Sequence, residues 1–230
     1  TQTAGCSLTA QQPEINIVRV AIQAMAGVLG GTQSLHTDSM DEALALPSEK
    51  AVQIALRTQQ IIAHESGVAN VADPLGGSYY LEWLTDDMER QSRDYFDRIE
   101  SLGGVVSAIE KGFFQKEIAA AAYKYQQEID NNERTVVGVN EFTSNEPVEI
   151  PILEMDPEGF ERQCRRLKSL RSSRNKARHE ASLTAIEKAA EGEENLMPHF
   201  IEAAKAKATL GEMCDVLRGV FGEYREGSDF

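Results

Sequence analysis

The chain has 230 residues, 41% of them hydrophobic and 26% charged, the make-up of a globular protein of one or two domains that can bury a core. Its net charge of −14 argues against a nucleic-acid surface, which needs a basic face. No apolar run approaches the ~20 residues that span a bilayer, so no membrane partner is expected.

Cys6, Cys164 and Cys214 are odd in number, far apart and without a CxxC pair. They fit free thiols in a reducing, cytoplasmic compartment rather than a disulfide frame or a metal site. The first residues carry neither a basic leader nor an apolar segment. They start without Met, as though in mid-loop, and suggest a fragment or one piece of a split chain.

In chain order, residues 1–12 read as a loop. Thr9 to Gln12 has capping-box spacing, and Pro13 suits a first helical turn. Ile15, Val18, Ile22, Met25 and Leu29 recur at helical spacing until Gly30-Gly31 stops them. Residues 32–35 are then expected as a short strand. It runs into His36, Asp38, Asp41 and Glu42, a crowd of polar groups before a helix start, which is where parallel α/β folds keep their chemistry. Ser39-Met40-Asp41-Glu42 predicts a short capped helix, ended by Leu46-Pro47. Ser48 opens the next helix, with Val52, Leu56, Gln59 or Gln60, and Ala63 down its faces, closed by Gly67.

Residues 68–72 are expected as a second strand, followed by the turn-rich Asp73-Pro74-Leu75-Gly76-Gly77-Ser78-Tyr79-Tyr80. A helix over 86–101 follows, capped by Thr85, with Asp86 and Asp87 at its positive end. This alternation implies βα units and a parallel sheet. Two strands make no stable parallel sheet, so further strands are expected upstream.

Beyond residue 101 the pattern predicts helices over 104–111 and 114–130, a strand over 135–140 and a second short one over 150–153. Asp156-Pro157-Glu158 starts a helix running to about Ala190. Its alternating charges, including Arg162, Arg165, Arg171, Arg174 and Arg178, suit a solvated face or a subunit contact. A helix over 196–208 and a last one opened by the capping box Thr209-Leu210-Gly211-Glu212 complete the chain. Residues 226–230 look like a frayed tail.

The stretches Gln2-Thr3-Ala4-Gly5-Cys6-Ser7-Leu8-Thr9, Gly30 to Glu42, Val71 to Tyr80, and Val136-Val137-Gly138-Val139-Asn140 resemble the adenosylcobalamin-dependent acyl-CoA mutases. These include the methylmalonyl-, isobutyryl- and 2-hydroxyisobutyryl-CoA mutases. The resemblance covers nearly the whole chain in order. It implies an α/β fold: the C-terminal part of a (β/α)8 TIM barrel followed by a mainly helical extension. The implied division is 1–101 for the last βα units of the acyl-CoA-binding barrel, 102–153 for the barrel's end and connecting elements, and 154–230 for the helical extension. The implied activity is isomerase chemistry, a radical carbon-skeleton rearrangement of a short acyl-CoA, in which the cofactor carries the chemistry and the protein places and shields it.

The resemblance also implies roles. Gln2 matches an active-site glutamine near substrate and adenosyl group. Glu42 matches an acceptor for the adenosyl ribose. Asp38 stands where familiar relatives have asparagine, and Gln33 and His36 are expected to line the cavity. Taken alone, Asp38 and Glu42 serve as well as loop and capping-box residues, and Gln33 and His36 as polar groups satisfied at a strand end. His64, His179 and His199 read as ordinary helix residues, Cys6 as a small packing residue, and Asp73-Pro74 with Gly76-Gly77 as a turn rather than a phosphate cradle.

The family's cobalt-ligating Asp-x-His-x-x-Gly spacing is absent. Adenosylcobalamin is therefore expected to be ligated by a separate domain or small cobalamin-binding subunit, and the other barrel half by residues upstream. The other expected partners are the acyl-CoA and a second large subunit in a dimer. The chain alone should be inactive. A non-catalytic, barrel-derived scaffold is the alternative.

Overall fold

The computed structural model describes residues 1–225. The chain divides into two compact units, with the boundary between Glu154 and Met155.

In the first unit, α1 (Asn16–Leu29) and α2 (Glu49–Glu65) pack on each other. They meet through small residues. Val20 and Ala24 of α1 are buried, as are Ala51, Ala55 and Thr58 of α2, at helical spacing. Of the apolar stripe read on α1, Ile15, Met25 and Leu29 are partly buried while Val18 and Ile22 are exposed, and on α2 Val52 and Leu56 are exposed. Both helices are apolar on more than one side, so periodicity alone does not choose the packed face. Ser48 caps α2 by accepting from Ala51 N at 3.3 Å. Gly31 and Gly67 stop the two helices with φ of +77° and +73°, a conformation costly for any residue with a Cβ.

Five sequence expectations are corrected here. No short helix follows Ser39. The Ser39 hydroxyl bonds Asp41 Oδ1 at 2.6 Å instead of capping, and 40–46 form successive turns. The expected strands are absent among the described residues. Residues 68–70 make a single 3-10 turn, and 135–140 form a turn organised by Asn140, whose Oδ1 accepts from Val136 N at 2.8 Å while Nδ2 donates to Arg134 O at 2.8 Å. What remains of pairing is two isolated parallel bridges, Gln2 with His36 and Val137 with Glu141. Parallel pairing is weak without flanking strands, so a lone bridge does not propagate.

The third helix begins earlier than expected. The helix α3 spans Tyr79–Ser101, so Thr85 lies inside it, bonding Leu81 O at 2.8 Å rather than capping. It lies with α4 (Val105–Glu110) and α5 (Phe113–Asp130). Arg98 joins α3 to α5, pairing with Glu117 at 2.6 Å and stacking on Tyr95 and Phe113. No residue of α3 is buried; Tyr80, Trp83, Met88 and Phe96 are all exposed.

In the second unit the long helix expected to reach Ala190 is two helices, α6 (Gly159–Ser173) and α7 (Lys176–Ala190). Arg174 is extended between them, and the Asn175 side chain caps α7 by accepting from Arg178 N at 2.9 Å. The helices α8 (Leu196–Lys205) and α9 (Leu210–Phe221) both pack on α7. Ile186, Ala189, Ala203 and Ala206 form the small core. The Thr209–Glu212 capping box of α9 is present as expected. The expected frayed tail, 226–230, lies outside the described residues.

Candidate functional site

Two short extended segments create the site. Residues 1–3 lie parallel to 34–38, with Thr3 N donating to His36 O at 3.1 Å and His36 N donating to Thr1 O at 2.9 Å. The pairing brings Gln2 and Thr3 alongside Asp38, 35 or more residues away in sequence.

Asp38 is the centre of the polar cluster and is 3% exposed. Its Oδ1 accepts from Gln2 Nε2 at 2.9 Å and its Oδ2 from Thr3 Oγ1 at 2.8 Å. Its backbone N–H donates to the same Thr3 oxygen at 2.9 Å. Asp38 is therefore a buried, fully engaged acceptor and not a solvated loop carboxylate. His36 is exposed; its Nδ1 lies 3.7 Å from Asp38 Oδ1, beyond hydrogen-bond range.

Glu42 is exposed, and its carboxylate makes no hydrogen bond or ion pair among the described residues. It caps no helix, because none begins there. Gly5 sits between the two acids. A Cβ on it would lie 3.6 Å from Glu42 Oε1 and 3.8 Å from Asp38 Oδ2, so the space over Gly5 is where both carboxylates converge. Gln33 stands apart, exposed in the turn after α1. The structure thus brings together Gln2, Asp38, Glu42 and, at the margin, His36, and it does not bring in Gln33. Neither His36 nor Gln33 is a satisfied core group.

Beside this cluster is a cavity of about 310 Å³ lined by His36, Thr37, Ser39, Glu42, Val52 and Gln59, among others. One rim is polar and the α2 wall, with Val52 and Leu56, is apolar. Thr37 is fixed on that wall: its hydroxyl donates to Ala55 O at 2.8 Å and accepts from Gln59 Nε2 at 2.9 Å.

Two buried residues have a supporting role that the sequence does not show. Asp41, fully buried, accepts from the Ser39 hydroxyl and, at 2.9 Å, from Ser48 N, which ties the turn carrying Glu42 to the start of α2. Asn16, also fully buried, uses all its capacity: Oδ1 accepts from Thr9 N and Arg19 Nη1, and Nδ2 donates to Thr9 O and Met40 O. Thr9 and Asn16 look like loop and helix-start residues in sequence, so only the acidic crowd around Asp41 hinted at either support.

The remaining candidates resolve plainly. Among the described residues no group of three or more His, Cys, Asp or Glu is arranged to hold a metal ion. Cys6 is exposed rather than packed, and no cysteine is bonded to another. His64 is exposed, His199 pairs with Glu194 at 3.1 Å, and His179 is buried against Glu212. Arg174 leaves the solvated basic face and pairs with Glu212 at 2.8 Å. No helix among the described residues is long and apolar enough to cross a membrane.

Comparison with known proteins identifies the family. The family model for methylmalonyl-CoA mutase matches residues 1–223. The large subunit of 2-hydroxyisobutanoyl-CoA mutase from Aquincola tertiaricarbonis is 47% identical over 98% of this chain and 40% of its own length. Human mitochondrial methylmalonyl-CoA mutase is 44% identical over 97% of this chain and 30% of its own length. The Escherichia coli methylmalonyl-CoA mutase is 42% identical over 97% of this chain and 31% of its own length. The chain belongs to the methylmalonyl-CoA mutase family, whose fold is of the barrel-type α/β class. It spans less than half the length of these relatives.

Proposed function

We propose that this chain is part of the large, substrate-binding subunit of an adenosylcobalamin-dependent acyl-CoA mutase, an isomerase of short acyl-CoAs. The observation that carries the proposal is the unengaged Glu42 carboxylate beside the buried Asp38–Thr3 pair and the exposed Gln2 bonded to it, on the rim of a cavity with one apolar wall. In this reading residues 1–101 contribute the last βα units of the barrel, 102–153 its end, and 154–230 a helical extension. The parallel Gln2–His36 bridge supports the barrel assignment, as a fragment of strand pairing. The exposed apolar side chains of α1, α2 and α3 support a larger body that covers them. An upstream barrel half, a small cobalamin-binding subunit, a second large subunit and a cytoplasmic location belong to the same proposal.

The residues present fit an adenosyl group. Its ribose hydroxyls need acceptors, which Glu42 on the cavity rim and, outside the lining, the exposed Gln2 amide would offer, and its base needs an apolar wall, which Val52 and Leu56 would offer. When bound, the cofactor supplies hydrogen-atom-transfer chemistry by homolysis of its cobalt–carbon bond. This chain's residues bind, orient and exclude water. Glu42 would accept a hydrogen bond from a ribose hydroxyl, and Thr37 and Gln59 keep α2 against the rim. Asp41 holds the turn that sets the position of Glu42. None of them needs to act as a strong base, because positioning is the main demand of such a reaction.

The chain alone should show no isomerisation of any acyl-CoA. Activity should appear only when it is joined to the upstream barrel residues and supplied with a cobalamin-binding subunit and adenosylcobalamin. Turnover with the cobalamin subunit alone would show that the substrate site is complete without that half. No turnover in the full assembly would favour a scaffold. In that assembly, Glu42→Gln should raise the adenosylcobalamin concentration for half-maximal rate by about tenfold and move the acyl-CoA KM by less than about twofold, the loss of one charged hydrogen bond. An unchanged cofactor dependence would remove Glu42 from the site.

A further inference from the structure

We propose that residue 38 sets the hydrogen-bond polarity of Gln2. The Asp38 carboxylate holds the Gln2 amide so that Oε1, and not the NH2 group, is offered outward. The site then selects a ligand group that donates, a hydroxyl or an amine, over a carbonyl or carboxylate. This rests on the reading of Gln2 as a ligand-facing residue.

The amide orientation follows from a chain of donors. The Asp38 backbone N–H donates to Thr3 Oγ1 at 2.9 Å. That hydroxyl, having accepted, gives its single proton to Asp38 Oδ2, 2.8 Å away. Thr3 and Asp38 are buried, at 5% and 3% exposure, so water does not replace either partner. The remaining oxygen, Oδ1, lies 2.9 Å from the Gln2 amide. A carboxylate offers acceptors only, so Gln2 turns its NH2 group inward. His36 Nδ1, at 3.7 Å, is too far to compete for Oδ1. Glu42 Oε1, which borders the space over Gly5 together with Asp38 Oδ2, is a further acceptor in the cluster. The opening is therefore rich in acceptors.

An asparagine at position 38 would reverse this. Thr3 would still donate, now to the asparagine oxygen. The asparagine NH2 would face Gln2, and the Gln2 amide would flip to accept it, with its own NH2 outward.

The test is a double-mutant cycle in the full enzyme, assembled with its cobalamin-binding subunit and adenosylcobalamin. It compares the parent, Gln2→Glu, Asp38→Asn and the double variant by kcat/KM and by thermal midpoint. Glutamate at position 2 is an acceptor-only copy of Gln2. Beside Asp38 it sets two carboxylates face to face; beside the introduced asparagine it accepts a hydrogen bond. Gln2→Glu is expected to lower kcat/KM by at least about tenfold in the parent but to raise it once Asp38→Asn is present, because glutamate restores the outward acceptor that the flipped glutamine withdraws. Equal losses in both backgrounds, with activity retained, would overturn the polarity assignment and leave the mutase reading standing. Coupling in the thermal midpoint with no turnover of any acyl-CoA in any form would support the polarity assignment and overturn the mutase reading.

Discussion

Replacing Glu212 by glutamine should destabilise the C-terminal helical unit by roughly 2–3 kcal/mol, the scale of lost hydrogen bonds to a charged group. The expected readout is a lower urea midpoint and faster amide exchange in α9. Glu212 is the junction of that unit. Its Oε1 and Oε2 each accept from Arg174 at 2.8 Å in a bidentate pair. Oε2 also takes the Thr209 backbone N–H at 2.8 Å and lies 3.3 Å from His179 Nε2, while Arg171 Nε lies 3.8 Å from Oε1. Glutamine is isosteric, but its NH2 group must face one of these donors. The variant therefore strands at least one partly buried N–H and forfeits the bidentate geometry. If the α9 amides exchange as slowly in the variant as in the parent, Glu212 is not the junction.

The same geometry sets an acid limit. The Arg174 guanidinium holds the Glu212 carboxyl far below the usual carboxylate range, with the Thr209 hydrogen bonds adding to it against the opposing effect of burial. A carboxyl whose folded pKa is depressed contributes stability that is fully present above its unfolded value, about 4.3 for glutamate, and is lost as pH falls toward the folded value. The C-terminal unit should weaken progressively below about pH 4, and Glu212→Gln should remove part of that slope.

Asn16→Ala should cost roughly 3 kcal/mol in urea unfolding, because it removes four hydrogen bonds at once and leaves buried and partly buried backbone groups unpaired. The orphaned groups are the Thr9 N–H and C=O and the Met40 C=O. Met40 lies in the turn between Asp38 and Glu42, so amide exchange should also accelerate over residues 39–42. Asp would not rescue the site, since a carboxylate cannot donate to the two carbonyls. Unchanged exchange over 39–42 with lowered global stability would mean that Asp41 alone holds the turn.

Helix positions were legible where capping residues and glycine stops agree with periodicity. Ser48 and Gly67 bound α2 as read, and Thr209 with Glu212 opens α9. Misreadings arose where one residue type serves two local structures. Ser39 has capping-box spacing, yet its hydroxyl finds Asp41 instead. Thr85 has a good cap's chemistry, but the chain turns helical at Tyr79 and passes through it. The run from Asp156 reads as one helix because its charges alternate without a break, and only the Asn175 cap and the pull of Glu212 on Arg174 divide it. In the site, the acidic stretch announced itself in the sequence. Which acids are buried did not, since Asp38, Asp41 and Glu42 are all acids in one stretch and differ in what reaches them.

The sequence by itself determined the family, the acidic stretch of the candidate site and most helix limits, because these depend on residue type and near-neighbour spacing. Tertiary structure decided which faces of α1 and α2 meet, that Asp38 is buried and bonded while Glu42 is left free, and that Gln2 turns its amide toward Asp38. Those outcomes depend on groups more than 30 residues apart. Which donor arrives at a given acceptor is fixed only when the chain has brought them together, and a buried polar group then has no water to fall back on.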